Sequence, residues 1–316
     1  MREKRKFGKR TELLKSDEVN KKYLLVFEGK KTELIYFNAI NDLRDKISIN
    51  PLIQLIPIIR SYSEEGWSNP KKILDRMIKN LEENKTGCFS YETLCNWIIE
   101  FLYDETTIKI DYRMEYIWEL LKLICRDEIG SSFNLDVEDL EESCLKILNI
   151  LSNKIKIESL VEYIPMILKN GSLTFDDKFD KICFIVDRDR DSFFAKKDNN
   201  QYKYVLDKCR EKGFGLYVTN PCFEFWLLLH FDTVFEINKE LLLKNSKVNA
   251  GMNFAEQELR KIFRNYKKSL YDASYFVERI DKAINNEKYF CEDIEELENK
   301  LGSNVGLLIE ELRKEI

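Results

Sequence analysis

Three apolar runs in this chain each end in polar residues with chemical potential. Tyr23-Leu-Leu-Val-Phe27 stops at Glu28-Gly29, and Ile182-Cys-Phe-Ile-Val186 stops at Asp187-Arg-Asp189. Phe214 to Thr219 stops at Asn220-Pro221, with Glu224 one turn into the next apolar segment. Carboxylates held close together repel one another and raise their own pKa values unless a cation neutralises them. Carboxylate oxygens suit magnesium or manganese, which keep water and leave positions for a phosphate. Glu28, Asp187 and Asp189 are therefore candidate metal ligands for Mg2+ or Mn2+. With Glu224 they form the candidate catalytic set. Lys30, Lys31 and Lys267 are candidates for neutralising charge on a substrate phosphate.

Each piece has a plainer alternative. An Asp-x-Asp is common on solvated turns. Glu28 alone can serve the N-terminal N–H groups of a following helix. Glu224 lies between Phe223 and Phe225-Trp226, where a carboxylate needs a partner, so a structural salt bridge suits it as well as a site role. Lys30 and Lys31 suit simple solvent exposure. The single histidine, His230, ends an apolar segment, where a core or helix-terminal role is ordinary. One histidine also excludes metal sites built on several imidazoles, and any Ser-His-Asp or Cys-His catalyst would have to use His230 alone.

These residues need strands to hold them. Runs of five or six apolar, branched or aromatic residues bounded by turn formers suggest strands buried on both faces. Leu52 to Ile59 reads as a further strand, although Pro57 either weakens that reading or moves the strand to an edge. Thr32 reads as the N-cap of a helix carrying Leu34, Ile35, Phe37, Ile40 and Leu43, and Asn69-Pro70 opens another helix to about Glu83. A helix from Asn200 to Lys212 ends at Gly213, and Cys222 to His230 is an apolar helix. From about Phe254 the chain reads as helical, closing with Ser303–Glu315. Alternating strands and helices predict an α/β fold, a mainly parallel sheet flanked by helices. If the three strands are neighbours, the acids converge outside their carboxyl ends, where sites form in such sheets.

Between 88 and 172 only helical spacing is visible, which predicts an inserted all-helical subdomain. Its sixteen acids against eight bases make it a poor nucleic-acid surface. Residues 1–22 form a basic arm with nine Lys/Arg against four Asp/Glu, able to touch phosphates or simply to stay solvated. The expected organisation is thus an arm over 1–22, sheet segments over 23–87 and 173–316, and the insertion over 88–172. No run of about 18 apolar residues predicts a membrane span, and the charged N-terminus does not read as a secretory signal. Eight cysteines without C-x-x-C spacing argue for a reduced, cytoplasmic setting and against structural zinc.

The order of motifs resembles the RloB-like family of bacterial phage-defence and abortive-infection proteins, whose core is related to TOPRIM domains. The resemblance rests on Val26-Phe-Glu28-Gly-Lys-Lys-Thr32-Glu33-Leu-Ile-Tyr36-Phe37 and Phe184-Ile-Val-Asp187-Arg-Asp189. It rests also on Thr219-Asn220-Pro221-Cys-Phe223-Glu224-Phe-Trp226-Leu-Leu-Leu-His230-Phe231, Tyr266-Lys267 and Gly302-Ser-Asn304-Val305-Gly-Leu307-Leu308. It covers residues 22–84 and 174–316, and the insertion departs from it. The resemblance implies a TOPRIM-like nuclease in which Glu28 does acid/base work and Asp187 and Asp189 hold magnesium. Glu33, Asn220, Glu224 and His230 match family positions with less defined, supporting roles. It also implies a partner ATPase of the AAA or ABC type, since the chain has no P-loop of its own.

The leading expectation is therefore metal-dependent hydrolysis of phosphodiester bonds in DNA or RNA, including transfer RNA, by an effector of phage defence. The alternative is a non-catalytic metal-binding sensor or adaptor that docks the ATPase. A homo-oligomer is compatible with either. A glycosyltransferase reading of Asp187-x-Asp189 lacks a donor-binding pattern.

Overall fold

The computed structural model describes residues 21–29, 31–58, 69–104, 114–157, 160–171, 175–188, 201–249 and 251–314. In chain order the first elements are β1 (Lys21–Phe27), α1 (Thr32–Asp42), β2 (Ile53–Ile58), α2 (Pro70–Thr86), α3 (Tyr91–Asp104) and α4 (Met114–Leu123). A π-helical turn (Ile124–Ile129), α5 (Leu140–Ile155), α6 (Ile164–Gly171), β3 (Lys181–Asp187), α7 (Tyr202–Lys212), β4 (Gly215–Asn220) and α8 (Phe223–Leu228) follow. The chain continues through α9 (Lys239–Lys244), β5 (Lys247–Asn249), β6 (Met252–Asn253), α10 (Phe254–Ile262), α11 (Ala273–Val277), α12 (Ile280–Glu287), β7 (Gly302–Ser303) and α13 (Val305–Arg313). Two compact units result. One is Met1–Ile58 with Asp177–Arg190 and Leu206–Ile316; the other is Ile59–Asp176 with Asp191–Val205.

The first unit holds a sheet in the order β2-β1-β3-β4-β7. Its first four strands are parallel, as the alternation of strands and helices predicts, and β7 is antiparallel to β4. Tyr23, Leu25 and Phe27 of β1 and Cys183 and Ile185 of β3 enter one core, while Leu24, Val26, Ile182 and Phe184 are buried as well. Burial on both faces is why these strands read as continuous apolar runs and not as alternation. Pro57 lies in β2, at the edge of the sheet, where a residue without an N–H is tolerated.

The N-cap of α1 is Lys31, with no side-chain capping bond, and not Thr32. The Thr32 hydroxyl is used elsewhere: it donates to the Lys268 carbonyl at 3.1 Å. The C-terminal part is also less helical than its spacing predicts. Gly302-Ser303 forms β7, and the last helix starts at Val305. Two residues are too few to show a period, so tertiary pairing decides this strand. Ser303 N–H donates to the Cys291 carbonyl at 3.0 Å, and Cys291 N–H to the Leu301 carbonyl at 3.1 Å. A Cβ on Gly302 would collide with the Cys291 backbone. Gly302→Ala should therefore cost about 1–3 kcal/mol as an overpacking change, read as a lower urea midpoint with little change in slope.

The second unit has its own core, in which Leu94, Ile98, Ile117, Leu121, Ile147 and Leu151 are fully buried. Its described residues are mainly helical. Helix α2 opens on Asn69, whose side chain accepts from the N–H groups of Lys71 and Lys72, and closes on Gly87 at φ 71°. Asp139 caps α5 by accepting the Glu142 N–H at 2.8 Å. Helix α2 belongs to this unit by its contacts, although the change of character in the sequence begins only at residue 88. No helix among the described residues is long and apolar enough to cross a membrane.

Candidate functional site

The carboxyl ends of β1, β3 and β4 lie side by side, and this gathers the acids. Glu28 follows β1. Its N–H donates to the Ile185 carbonyl at 3.0 Å, and its Oε2 accepts the Asp187 N–H at 2.8 Å. Glu28 is buried, and this hydrogen bond ties the end of β1 to the end of β3. Glu33, in the first turn of α1, is buried too. Its carboxylate lies so close over Gly29 that a Cβ there would collide with it. The glycine after Glu28 is what lets Glu33 fold back toward the strand ends.

Asp187, the last residue of β3, is half-buried. Burial pushes its carboxyl well above the usual range, and the negative charges of Glu33, Glu28 and Glu224 push it further; Lys268 opposes them. Three carboxylates thus act on Asp187 at the end of β3. Lys30 and Asp189 lie outside the described residues. Among the described residues, no group of three or more His, Cys, Asp or Glu is arranged to hold a metal ion.

Glu224, in the first turn of α8, is almost fully buried and has named partners. Lys268 Nζ is 3.0 Å from its Oε1, and the Tyr266 hydroxyl donates to the same oxygen at 3.0 Å. Burial alone would raise its pKa, but Lys268, Cys222 and Tyr266 together hold the carboxyl below the usual range. Burial would lower Lys268, but Glu224, Cys222 and Asp187 together raise it above its ordinary value. The ammonium also lies 3.9 Å from Glu256, a buried acid of α10 that pairs with Arg260 at 2.5 Å. The Tyr271 hydroxyl donates to the Thr32 carbonyl at 2.7 Å, so the 266–271 turn is fastened to the start of α1.

The remaining sequence candidates separate. Lys31 is exposed at the α1 N-cap. Lys267 is exposed and bridges to Leu270 through its backbone. Lys268, Glu256 and Arg260 were not visible as site residues. The spacing of Glu256 and Arg260 is an ordinary i,i+4 pair, and Lys268 differs from Lys267 only in direction. Asn220 is buried and donates to the Leu297 carbonyl at 2.7 Å, which holds the end of β4 in place.

His230 is a core residue. Nδ1 lies 3.0 Å from the Trp226 carbonyl and Nε2 lies 3.0 Å from the Tyr36 hydroxyl. A carbonyl can only accept, so the proton sits on Nδ1 and Tyr36 donates to Nε2. Burial pushes the imidazole down to about 3. As the sole histidine it gives one set of ring signals. Those signals should stay on the neutral position from pH 8 to pH 5 in an NMR titration; a midpoint near 6.5 would contradict the arrangement. Because the folded value is depressed, this group contributes stability above the ordinary histidine range that is lost as the pH falls through it.

A family model described as RloB-like protein matches residues 121–312. The chain belongs to the RloB-like family. No curated protein and no solved structure matches it. In this RloB-like chain the match includes Asp187, Asp189, Glu224 and Lys268, whereas Glu28 and Glu33 precede it. The match also takes in part of the helical segment, from Leu121 onward, that the motif order had set apart from the family.

Proposed function

We propose that this RloB-like protein is a metal-dependent nuclease that hydrolyses phosphodiester bonds in DNA or RNA as an effector of phage defence. The observation that carries the reading is the Asp187 carboxyl at the end of β3, raised by burial and then by the nearby Glu33, Glu28 and Glu224. Such a concentration of negative charge costs free energy that a divalent cation relieves. The donors are all hard oxygens, which fit magnesium or manganese. Asp187 and Glu28 would hold the ion, with Asp189 completing the set. When bound, such an ion supplies charge to a phosphate oxygen and lowers the pKa of a water. Glu28 keeps one oxygen on the Asp187 N–H, which holds the two acids in register. Lys268 neutralises Glu224, and Lys31 stands exposed for a phosphate.

The test is cleavage of labelled DNA and transfer RNA with magnesium or manganese, comparing wild type with Asp187→Asn and Glu28→Gln. Glutamine retains the acceptor for the Asp187 N–H, so loss of activity there separates chemistry from folding. Cleavage retained in both variants would sink the assignment. The defence role predicts that wild type, and not Asp187→Asn, lowers phage plating on its host.

A second reading is a non-catalytic adaptor that docks a partner ATPase. The exposed apolar side chains of the helical unit favour it, with Tyr116, Leu135 and Met166 each about half-exposed. Absence of cleavage together with a stoichiometric complex with the ATPase would select it.

A further inference from the structure

The helical unit contains a concave site of about 920 Å³. Five cations line it: Lys72, Arg76 and Lys79 from α2, Lys122 from α4, and Arg126 from the π-helical turn, against the carboxylates of Asp75 and Glu92. The three on α2 follow i, i+4, i+7 spacing, which places them on one helix face. Lys79 pairs with Glu92 at 2.8 Å, Lys122 with Glu119 at 3.1 Å and Arg126 with Asp127 at 2.6 Å. Burial pulls Lys122 below its ordinary value, and does the same to Arg76 although Glu92 and Glu100 oppose it. An anion would relieve both. The lining also includes Trp118 and Phe133, packed edge to face at 5.3 Å and 79°. Trp118 is nearly fully buried, and Phe133 keeps a half-exposed ring. Gly130, at φ 73° beyond the π-helical turn, leads into the hydroxyl-bearing Ser131 and Ser132.

We propose that this site binds a nucleotide, with its phosphates among the α2, Lys122 and Arg126 cations and its base against Phe133. The volume is that of a small-molecule site. A nucleic-acid strand is a poorer occupant: residues 88–172 carry sixteen acids against eight bases, and a long polyanion would be repelled beyond the local cations. The proposal stands apart from the carboxylate site and does not depend on nuclease activity.

Isothermal titration of the full chain with ATP, GTP, CTP and UTP tests it, alongside tripolyphosphate and adenosine, all in EDTA. At least one nucleoside triphosphate should bind, with tripolyphosphate and adenosine roughly tenfold or more weaker. Lys72→Glu and Lys122→Glu should each weaken binding by roughly tenfold, with circular dichroism unchanged. Lys146→Gln, in the same unit but outside the site, should leave affinity unchanged, and so should Asp187→Asn. Failure of every triphosphate to bind at millimolar concentration would overturn the proposal. So would tripolyphosphate binding as tightly as the best nucleotide, or unchanged affinity in both lysine-to-glutamate variants.

Discussion

On the proposed nuclease reading, Asp187→Asn should lower metal-dependent cleavage by at least about a hundredfold and at the same time raise the melting temperature of the metal-free protein. The two effects share one cause. Burial and three neighbouring carboxylates raise the Asp187 pKa in the folded state. Between the ordinary value of about 3.9 and that raised value, the native protein binds a proton that the unfolded chain has released. Stability therefore falls as the pH rises through this window, and the loss is complete above it. Asparagine never ionises, so the variant should lose this pH dependence. At neutral pH its melting temperature should rise by about 2–4 °C for each kcal/mol of repulsion removed. Manganese added to wild type should raise the melting temperature by the same relief of charge, with a smaller rise in the variant. A lower melting temperature in metal-free Asp187→Asn would show that the carboxylates do not repel.

Lys268→Met should destabilise this unit, and with the opposite pH behaviour. It leaves the Glu224 carboxylate buried with its main counter-charge gone. Breaking a fully buried pair costs about 3–5 kcal/mol. Lys268 is 48% exposed in its side chain, so solvent screening reduces this to about 2 kcal/mol. The folded-state pKa of Glu224 is depressed, so in wild type it contributes stability above the ordinary carboxylate range, lost as the pH falls through the folded value. In the methionine variant that dependence should flatten or reverse. Chemical unfolding of both proteins at pH 7 and pH 4 measures it: the gap between them should narrow at the lower pH. An equal gap at both values would mean that Lys268 does not neutralise Glu224. The two predictions separate two acids of one cluster, Asp187 strained by its neighbours and Glu224 held by a cation.

Most of the elements that carry this cluster were legible before any contact was known. Continuous apolar runs mark strands buried on both faces, and the polar residue after each run marks its carboxyl end. Helix α2 was legible because Asn69-Pro70 is a local signal, as Gly213 is for α7, although the helix runs on to Thr86 before Gly87 and not only to Glu83. The missed features depend on contacts distant in sequence. β7 has two residues and exists through its pairing with β4 and Cys291. Thr32 resembles an N-cap until its hydroxyl is drawn to the Lys268 carbonyl, 236 residues away. The basic stripe of α2 gains meaning only when Lys122 and Arg126 close around it, inside a segment whose overall count is acidic.

By itself, the amino-acid sequence determined which acids stand at strand ends, because hydrophobic periodicity and turn residues act within a few positions of one another. It determined likewise that oxygen donors, and no set of histidines, are on hand for a metal. Only the tertiary structure decided that β1, β3 and β4 are neighbours, which brings Glu28, Glu33, Asp187 and Glu224 within electrostatic reach. It also decided that Lys268 neutralises Glu224 and that His230 is sealed in the core with Tyr36. Charge interactions depend on distance and burial, and chain position encodes neither: Glu28 and Asp187 are 159 residues apart, yet one hydrogen bond joins them.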